Sequence, residues 1–263
     1  MQVKPSAFLI IIDGLRPEGL RAAHVPNLTT LYTEGASTSC ARGVMPSITL
    51  PAHMSLFHSV PPTRHGITTN TWMPMARPLP GLVDVAHAAG LCSAFFYNWE
   101  PLRNLNQPGS LDFSYFRRNW TDPDGDQVIA DQAVRYLSSD RPDFAFVYFG
   151  SVDGWGHKYG FMSDAYLAQL ERVDGAVGTV LDALPADATV LLTSDHGGHD
   201  RNHGTDEPED MTVAWMIAGP GIRQRYKIKT AVSLLDTAPT LARVLDITPH
   251  SDWEGQCVEE VFE

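Results

Sequence analysis

The chain has 263 residues, of which 43% are hydrophobic and 19% charged, and a formal net charge of −12. That length and apolar content suffice for one large α/β core, and no segment has the composition of a disordered tract. The acidic balance excludes a general binder of nucleic-acid polymers or of anionic membranes, either of which would carry a basic face. Phosphate esters stay open as substrates, because bound divalent metals would invert the local field.

Residues 1–7 hold one lysine and lead into Phe8-Leu9-Ile10-Ile11-Ile12. This apolar run is too short for a signal-peptide core or a membrane span, and Asp13 stops it, so a cytoplasmic location is expected. Its β-rich, continuously apolar character predicts a strand buried on both faces. A helix is predicted over residues 26–34, with Pro26 in its first turn and Gly35 as its stop. Residues 36–43 read as a short strand. Met45-Pro46-Ser47-Ile48-Thr49-Leu50-Pro51-Ala52-His53 reads as a turn running into a helix through about His58, and residues 61–71 as a loop.

Further on, residues 82–89 predict a helix closed by Gly90, and residues 91–97 a strand. Residues 98–125, rich in Pro, Asn, Gly and aromatics, read as loop plus a short strand. Val128, Ile129, Ala133, Val134 and Leu137 fall on one face of a helix over residues 126–137. Residues 144–149 form another buried strand, ending in Gly150-Ser151-Val152-Asp153. A long helix follows over residues 164–184. Val190-Leu191-Leu192 is a strand that stops at Ser194-Asp195-His196-Gly197-Gly198. Residues 213–218 are a strand, and residues 234–245 a last helix that Pro239 kinks or begins. The alternation predicts an α/β fold, a doubly wound, mostly parallel sheet with helices on both faces, and a single domain over residues 1–263. Cys40, Cys92 and Cys257 are odd in number and far apart, so they build neither a disulfide framework nor a CxxC zinc motif. Buried thiols in a reducing compartment are expected.

In such sheets functional groups collect outside the carboxyl ends of the strands. Three predicted strands lead into an aspartate: Asp13, Asp153 and Asp195. Two of these have histidine partners, as Asp153-Gly154-Trp155-Gly156-His157 and as Asp195-His196, and His203 adds a third imidazole. One such aspartate would be a cap or a loop residue. Three carboxylates with three imidazoles are enough ligands for two metals with positions left open, and the mixed oxygen and nitrogen set suits zinc, with manganese as the alternative.

In order along the chain, Asp13, Pro46-Ser47-Ile48-Thr49-Leu50-Pro51-Ala52-His53, His65-Gly66-Ile67 with Asn70, Asp153 with His157, Asp195-His196-Gly197 and His203-Gly204 resemble the alkaline phosphatase superfamily. The likeness is greatest to its type I phosphodiesterase/nucleotide pyrophosphatase branch, and it spans most of the chain. The resemblance implies an alkaline-phosphatase-like core without a large cap insertion. It implies one metal on Asp13, Asp195 and His196, another on Asp153, His157 and His203, Thr49 as nucleophile, and Asn70 donating to a phosphate oxygen. The chemistry accounts for that arrangement. A threonine hydroxyl needs a metal to lower its pKa, and paired ions roughly 4 Å apart clamp an in-line phosphoryl transfer.

Ser47 competes with Thr49 as nucleophile, and His199 competes with His203 as ligand; the family pattern favours Thr49 and His203. His53 is expected to orient the nucleophile turn, His65 to hold a turn, and His24, His58, His87 and His250 to be surface or satisfied histidines. Trp72, Trp155 and Tyr159 are candidates to line the substrate site or the core. Glu207-Pro208-Glu209-Asp210 reads as a solvated loop. The chain departs from nucleotide pyrophosphatases at Leu50, where they carry an aromatic, and at residues 197–202, where they carry a long insertion; both imply a more open site. The aldehyde-forming Cys or Ser pattern of sulfatases, which ends in Arg, is missing. The expected function is therefore two-metal hydrolysis of phosphodiester or pyrophosphate bonds in a small-molecule phosphate ester. Phosphomonoester or phosphonate hydrolysis comes second, and a phosphosugar mutase or a non-catalytic metal-binding module behind both.

Overall fold

The computed structural model describes residues 6–263, so the lead-in at residues 1–5 lies outside the described residues. The strands are β1 (Ser6–Ile12), β2 (Ala36–Arg42), β3 (Ser93–Tyr97), β4 (Phe113–Phe116), β5 (Phe144–Phe149), β6 (Ala188–Thr193), β7 (Thr212–Ala218) and β8 (Tyr226–Lys227). The helices are α1 (Gly19–Ala22), α2 (Pro26–Glu34), α3 (Thr49–His58), α4 (Pro62–His65), α5 (Leu82–Ala88), α6 (Gly125–Leu137), α7 (Ser151–Tyr159), α8 (Asp164–Ala183), α9 (Pro208–Met211) and α10 (Thr237–Val244).

The eight strands of the described residues join one sheet in the order β4-β3-β5-β1-β6-β7-β2-β8. From β4 to β6 the pairs are parallel, and β7 then runs antiparallel to both β6 and β2. Every residue of β1 is buried, because its two faces pack against different layers. Leu9 and Ile11 join residues of α3, α5 and α10, whereas Phe8, Ile10 and Ile12 join residues of α2, α6 and α8. That is why this strand reads as a continuous apolar run rather than an alternating one. On α8, Tyr166, Leu170, Val173, Val177 and Val180 recur at helical spacing and fill the second layer, and Ser163 caps the helix by accepting from the Tyr166 N–H.

The placement that matters for function is β5-β1-β6 at the centre. Ile12 pairs with Phe149 and Ile11 with Thr193, so the chain leaves all three strands side by side. The Asp13 N–H donates to the Phe149 carbonyl at 2.9 Å and extends that alignment by one residue.

Several expectations need correction. The segment carrying Asp153 and His157, to which the sequence reading assigned no element, is a helix, α7. Gly154 and Gly156 lower its helix propensity, yet a Cβ on Gly154 would lie 3.1 Å from Trp120 and one on Gly156 2.7 Å from Phe161. Packing therefore explains the glycines. Cys40 and Cys92 are exposed rather than buried, and Cys257 is half-buried. Cys40 sits where the β2–β7 register shifts between Thr38 and Ala41, and Cys92 directly precedes β3. The start of the predicted loop at residues 61–71 holds the short helix α4. The last predicted helix divides into a 3-10 turn at Leu234–Asp236 and α10, with Pro239 in the first turn of α10, where its missing N–H costs little. Asp210, expected in solvent, is fully buried at the end of the Glu207 run.

Candidate metal centre

Each of the three central strand ends supplies its carboxylate in a different way. Asp13 follows β1 directly, and one of its oxygens, Oδ2, accepts a short hydrogen bond from the Tyr148 hydroxyl. Asp195 follows β6 by one residue, and its Oδ1 accepts from the backbone N–H groups of Gly14 at 3.3 Å and His196 at 3.0 Å. Asp153 lies in the first turn of α7. Ser194 laces two of these ends together: its Oγ accepts from the Leu15 N–H at 3.0 Å and donates to the Ile12 carbonyl at 2.8 Å. Gly14 turns the chain with φ +68, and a Cβ there would sit 3.1 Å from Asp153. Only glycine lets Asp13 and Asp153 approach on this path.

The remaining oxygens are buried and unsatisfied. Asp13 Oδ1, Asp153 Oδ1 and Asp195 Oδ2 have no hydrogen-bond partner among the described residues. Orphaned carboxylate oxygens facing one another are costly, and burial followed by mutual repulsion lifts the Asp13 pKa well above the usual carboxylate range. Burial lifts Asp153 and Asp195 as well.

The imidazoles complete the pattern. His196, His157 and His203 each donate from Nδ1 to a carbonyl at 2.8 Å: those of Gly197, Arg201 and Ser47 respectively. This turns Nε2 inward on all three rings, the arrangement typical of metal-binding histidines. His196 Nε2 lies 3.2 Å from Asp13 Oδ1 and 3.4 Å from Asp195 Oδ2. His203 Nε2 lies 3.2 Å from His157 Nε2 and 3.6 Å from Asp153 Oδ1, and His157 Nε2 is 3.4 Å from Asp153 Oδ2. Burial lowers the pKa of His196 and of His203 to about 4, which keeps both rings neutral and able to ligate. Among the described residues, ligand atoms within 4.8 Å of one another form two groups, Asp13 with Asp195 and His196, and Asp153 with His196 and His203. The two groups are adjacent and share His196, whose ring stacks on that of His203 at 3.8 Å between centroids. The donor set and its orphaned oxygens fit a pair of divalent cations.

Thr49 is the first residue of α3, buried, with Oγ1 3.2 Å from His196 Nε2. Ser47 points elsewhere, because its hydroxyl donates to the Thr205 carbonyl at 2.7 Å. Asn70 Oδ1 accepts the Leu50 N–H at 2.9 Å, which fixes the Asn70 side chain at the start of α3 and leaves its amide N–H groups without a protein partner among the described residues. Leu50 itself is buried and forms no stacking surface. His53 Nδ1 donates to the Thr49 carbonyl at 2.8 Å, with Asp195 Oδ2 at 3.5 Å, so it orients the helix start. His65 holds its turn through the Ile67 N–H and Ser55 Oγ. His199 turns away from the centre. Its Nδ1 donates to Asp210 Oδ1 at 2.7 Å, and that bond raises its pKa. His199 and Asn202 exchange backbone hydrogen bonds of 2.9 Å and close the short connection to His203. Trp72 lines an apolar cavity of about 250 Å³ beside Met54 and Met75, and Trp155 contacts Tyr159 on α7. The sequence reading missed the Tyr148 hydroxyl, and only strand register could have revealed it.

The type I phosphodiesterase / nucleotide pyrophosphatase family model matches residues 7–216. The chain belongs to that family. Its relatives include human ectonucleotide pyrophosphatase/phosphodiesterase family member 1, 28% identical over 218 residues, which are 73% of this chain and 23% of the human protein. The chain thus spans about a quarter of that curated relative. Among solved structures, murine ectonucleotide pyrophosphatase/phosphodiesterase 5, in an inactive form with AMP, superposes with a TM-score of 0.84 at 15% identity, covering 99% of this chain and 100% of that one. A phosphonate monoester hydrolase from Silicibacter pomeroyi gives 0.79 at 15% identity, covering 98% and 76%. Both likenesses show the family's α/β fold.

Proposed function

We propose that this member of the family hydrolyses phosphodiester or pyrophosphate bonds in small-molecule esters through a phosphorylated Thr49, with two divalent cations, zinc in the first instance. One cation would be held by Asp13, Asp195 and His196, and the other by Asp153, His157 and His203. The observation that carries this reading is the convergence of three orphaned carboxylate oxygens and three inward Nε2 atoms beside the Thr49 hydroxyl. Bound there, the cations would lower the hydroxyl's pKa and neutralise charge on the phosphoryl oxygens.

The chain's own groups do the rest. Thr49 Oγ attacks phosphorus as the bond to the leaving oxygen breaks, and water then cleaves the phospho-threonine to release phosphate ester and restore the hydroxyl. The N-terminus of α3 favours the anion that forms on Thr49. His53 steadies the Thr49 carbonyl, and Asn70 is positioned to donate its amide to a non-bridging oxygen. A neutral amide in that role, rather than a guanidinium, suits a diester better than the more highly charged monoester. The relatives' names and the AMP bound to the murine protein point towards nucleotides. Leu50 and the short 197–202 connection point to a site less committed to a base. The test compares a chromogenic phosphodiester, phosphomonoester, nucleotide ester and phosphonate under zinc and manganese in wild type, Thr49→Ala and Ser47→Ala. Diester turnover should vanish in Thr49→Ala with metal content intact, and survive in Ser47→Ala. Wild-type rates in Thr49→Ala would refute the phospho-threonine step.

A further inference from the structure

Beneath the start of α7 lies a buried carboxylate that the proposed chemistry does not use. Asp126, in the first turn of α6, is 1% exposed and receives only donors. These are Asn98 Nδ2 at 2.6 Å, the Gly150 N–H at 3.1 Å, the Ser151 N–H at 3.2 Å and, through a short contact, the Ser151 hydroxyl. Ser151 Oγ in turn accepts from Gln169 Nε2 at 2.8 Å, and Gln169 also donates to the Pro123 carbonyl. Gly150 and Ser151 are the cap and first residue of α7, so an acceptor-only side chain grips N–H groups that the helix itself leaves unpaired at that end. Two residues on stands Asp153, and one turn further stands His157. Trp120 packs on Gly150 and Gly154 and closes the cradle.

We propose that Asp126 is a positioning residue for the divalent-cation site of Asp153, His157 and His203. It would fix the rotation and depth of α7, and so set the metal affinity of that site alone. The inference rests on the two-cation reading above. The reasoning is geometric. Asp153 Oδ1 has no hydrogen-bond partner among the described residues to aim it, and His157 is anchored through Nδ1 on the Arg201 carbonyl while its Nε2 faces only other proposed ligands, His203 and Asp153. Their common reference is the helix end that Asp126 holds. The other cation group, Asp13 with Asp195 and His196, hangs on β1 and β6 and has no bond to Asp126.

The experiment is Zn²⁺ titration by calorimetry on the stripped protein in four forms: wild type, Asp126→Asn, Ser151→Ala and Asp153→Asn. Asp126→Asn places an amide N–H against a donor, Ser151→Ala deletes one donor while sparing the carboxylate, and Asp153→Asn marks the isotherm of a lost ligand. Two equivalents are expected in wild type. In Asp126→Asn one equivalent should weaken about 10- to 100-fold, as other partners that orient metal ligands do, with the second unchanged. Ser151→Ala should move the same equivalent in the same direction, by less; it covers the case in which Asp126→Asn does not fold. Unchanged affinities in both variants, or equal loss at both equivalents, would overturn the positioning role. If Asp153→Asn itself leaves both equivalents intact, the two-cation reading fails and takes this inference with it.

Discussion

At the scale of single residues, the centre is a set of groups each held from behind and left open in front. Tyr148 shows this most simply. Its hydroxyl occupies Asp13 Oδ2, so Oδ1 alone faces His196. Tyr148→Phe should therefore lower the zinc affinity of the Asp13 group about 10- to 100-fold, measured by competition with a chromogenic chelator; unaltered affinity would mean that the hydroxyl only fills space. Much of this centre was legible in the sequence. Asp195-His196 and Asp153 with His157 announce themselves because each pair of ligand types is close in the chain, and the structure brings all six proposed ligands together. Tyr148 and Asp126 did not announce themselves. Their roles depend on which strand lies beside which and on which helix end a carboxylate reaches, and neither is written in local sequence. Asp210 was misread for the same reason: its partners, Thr205 and His199, become neighbours only after the chain folds back.

Among the elements, β1, β5 and β6 were readable as apolar runs ending at polar residues, because burial on both faces removes alternation. Helix α7 was not, since two glycines at about 1 kcal/mol each argue against a helix until Trp120 and Phe161 are seen to need the space. The support of α7 carries its own pH signature. Burial lifts Asp126 from 3.8 to about 6 even though its four donors pull the other way, so the folded protein holds the charged carboxylate, its form at neutral pH, at a cost that the unfolded chain does not bear. Relief from that cost is complete below the unfolded pKa and is lost as pH rises through the folded one, a change on the order of 3 kcal/mol. Urea unfolding between about pH 4 and pH 7 should show stability falling more steeply in wild type than in Asp126→Asn. Parallel curves would show that Asp126 titrates alike in both states.

On the scale of the whole molecule, strand–helix alternation announced the parallel sheet, while the antiparallel pairing of β7 with β6 and β2 was hidden, because alternation does not say which way a strand runs between the neighbours it finally joins. The sheet's use is to deliver three strand ends and the start of α3 to one point. A chain with a net charge of −12 has buried three carboxylates there, each with an unsatisfied oxygen. Such a cluster is sustainable at neutral pH when cations lie between its members. The most direct measurement is elemental analysis of the purified protein. Two divalent ions per chain are expected, falling to about one in Asp153→Asn. Fewer than one ion per wild-type chain, in protein that turns over a phosphodiester at the same rate after chelation, would contradict the account.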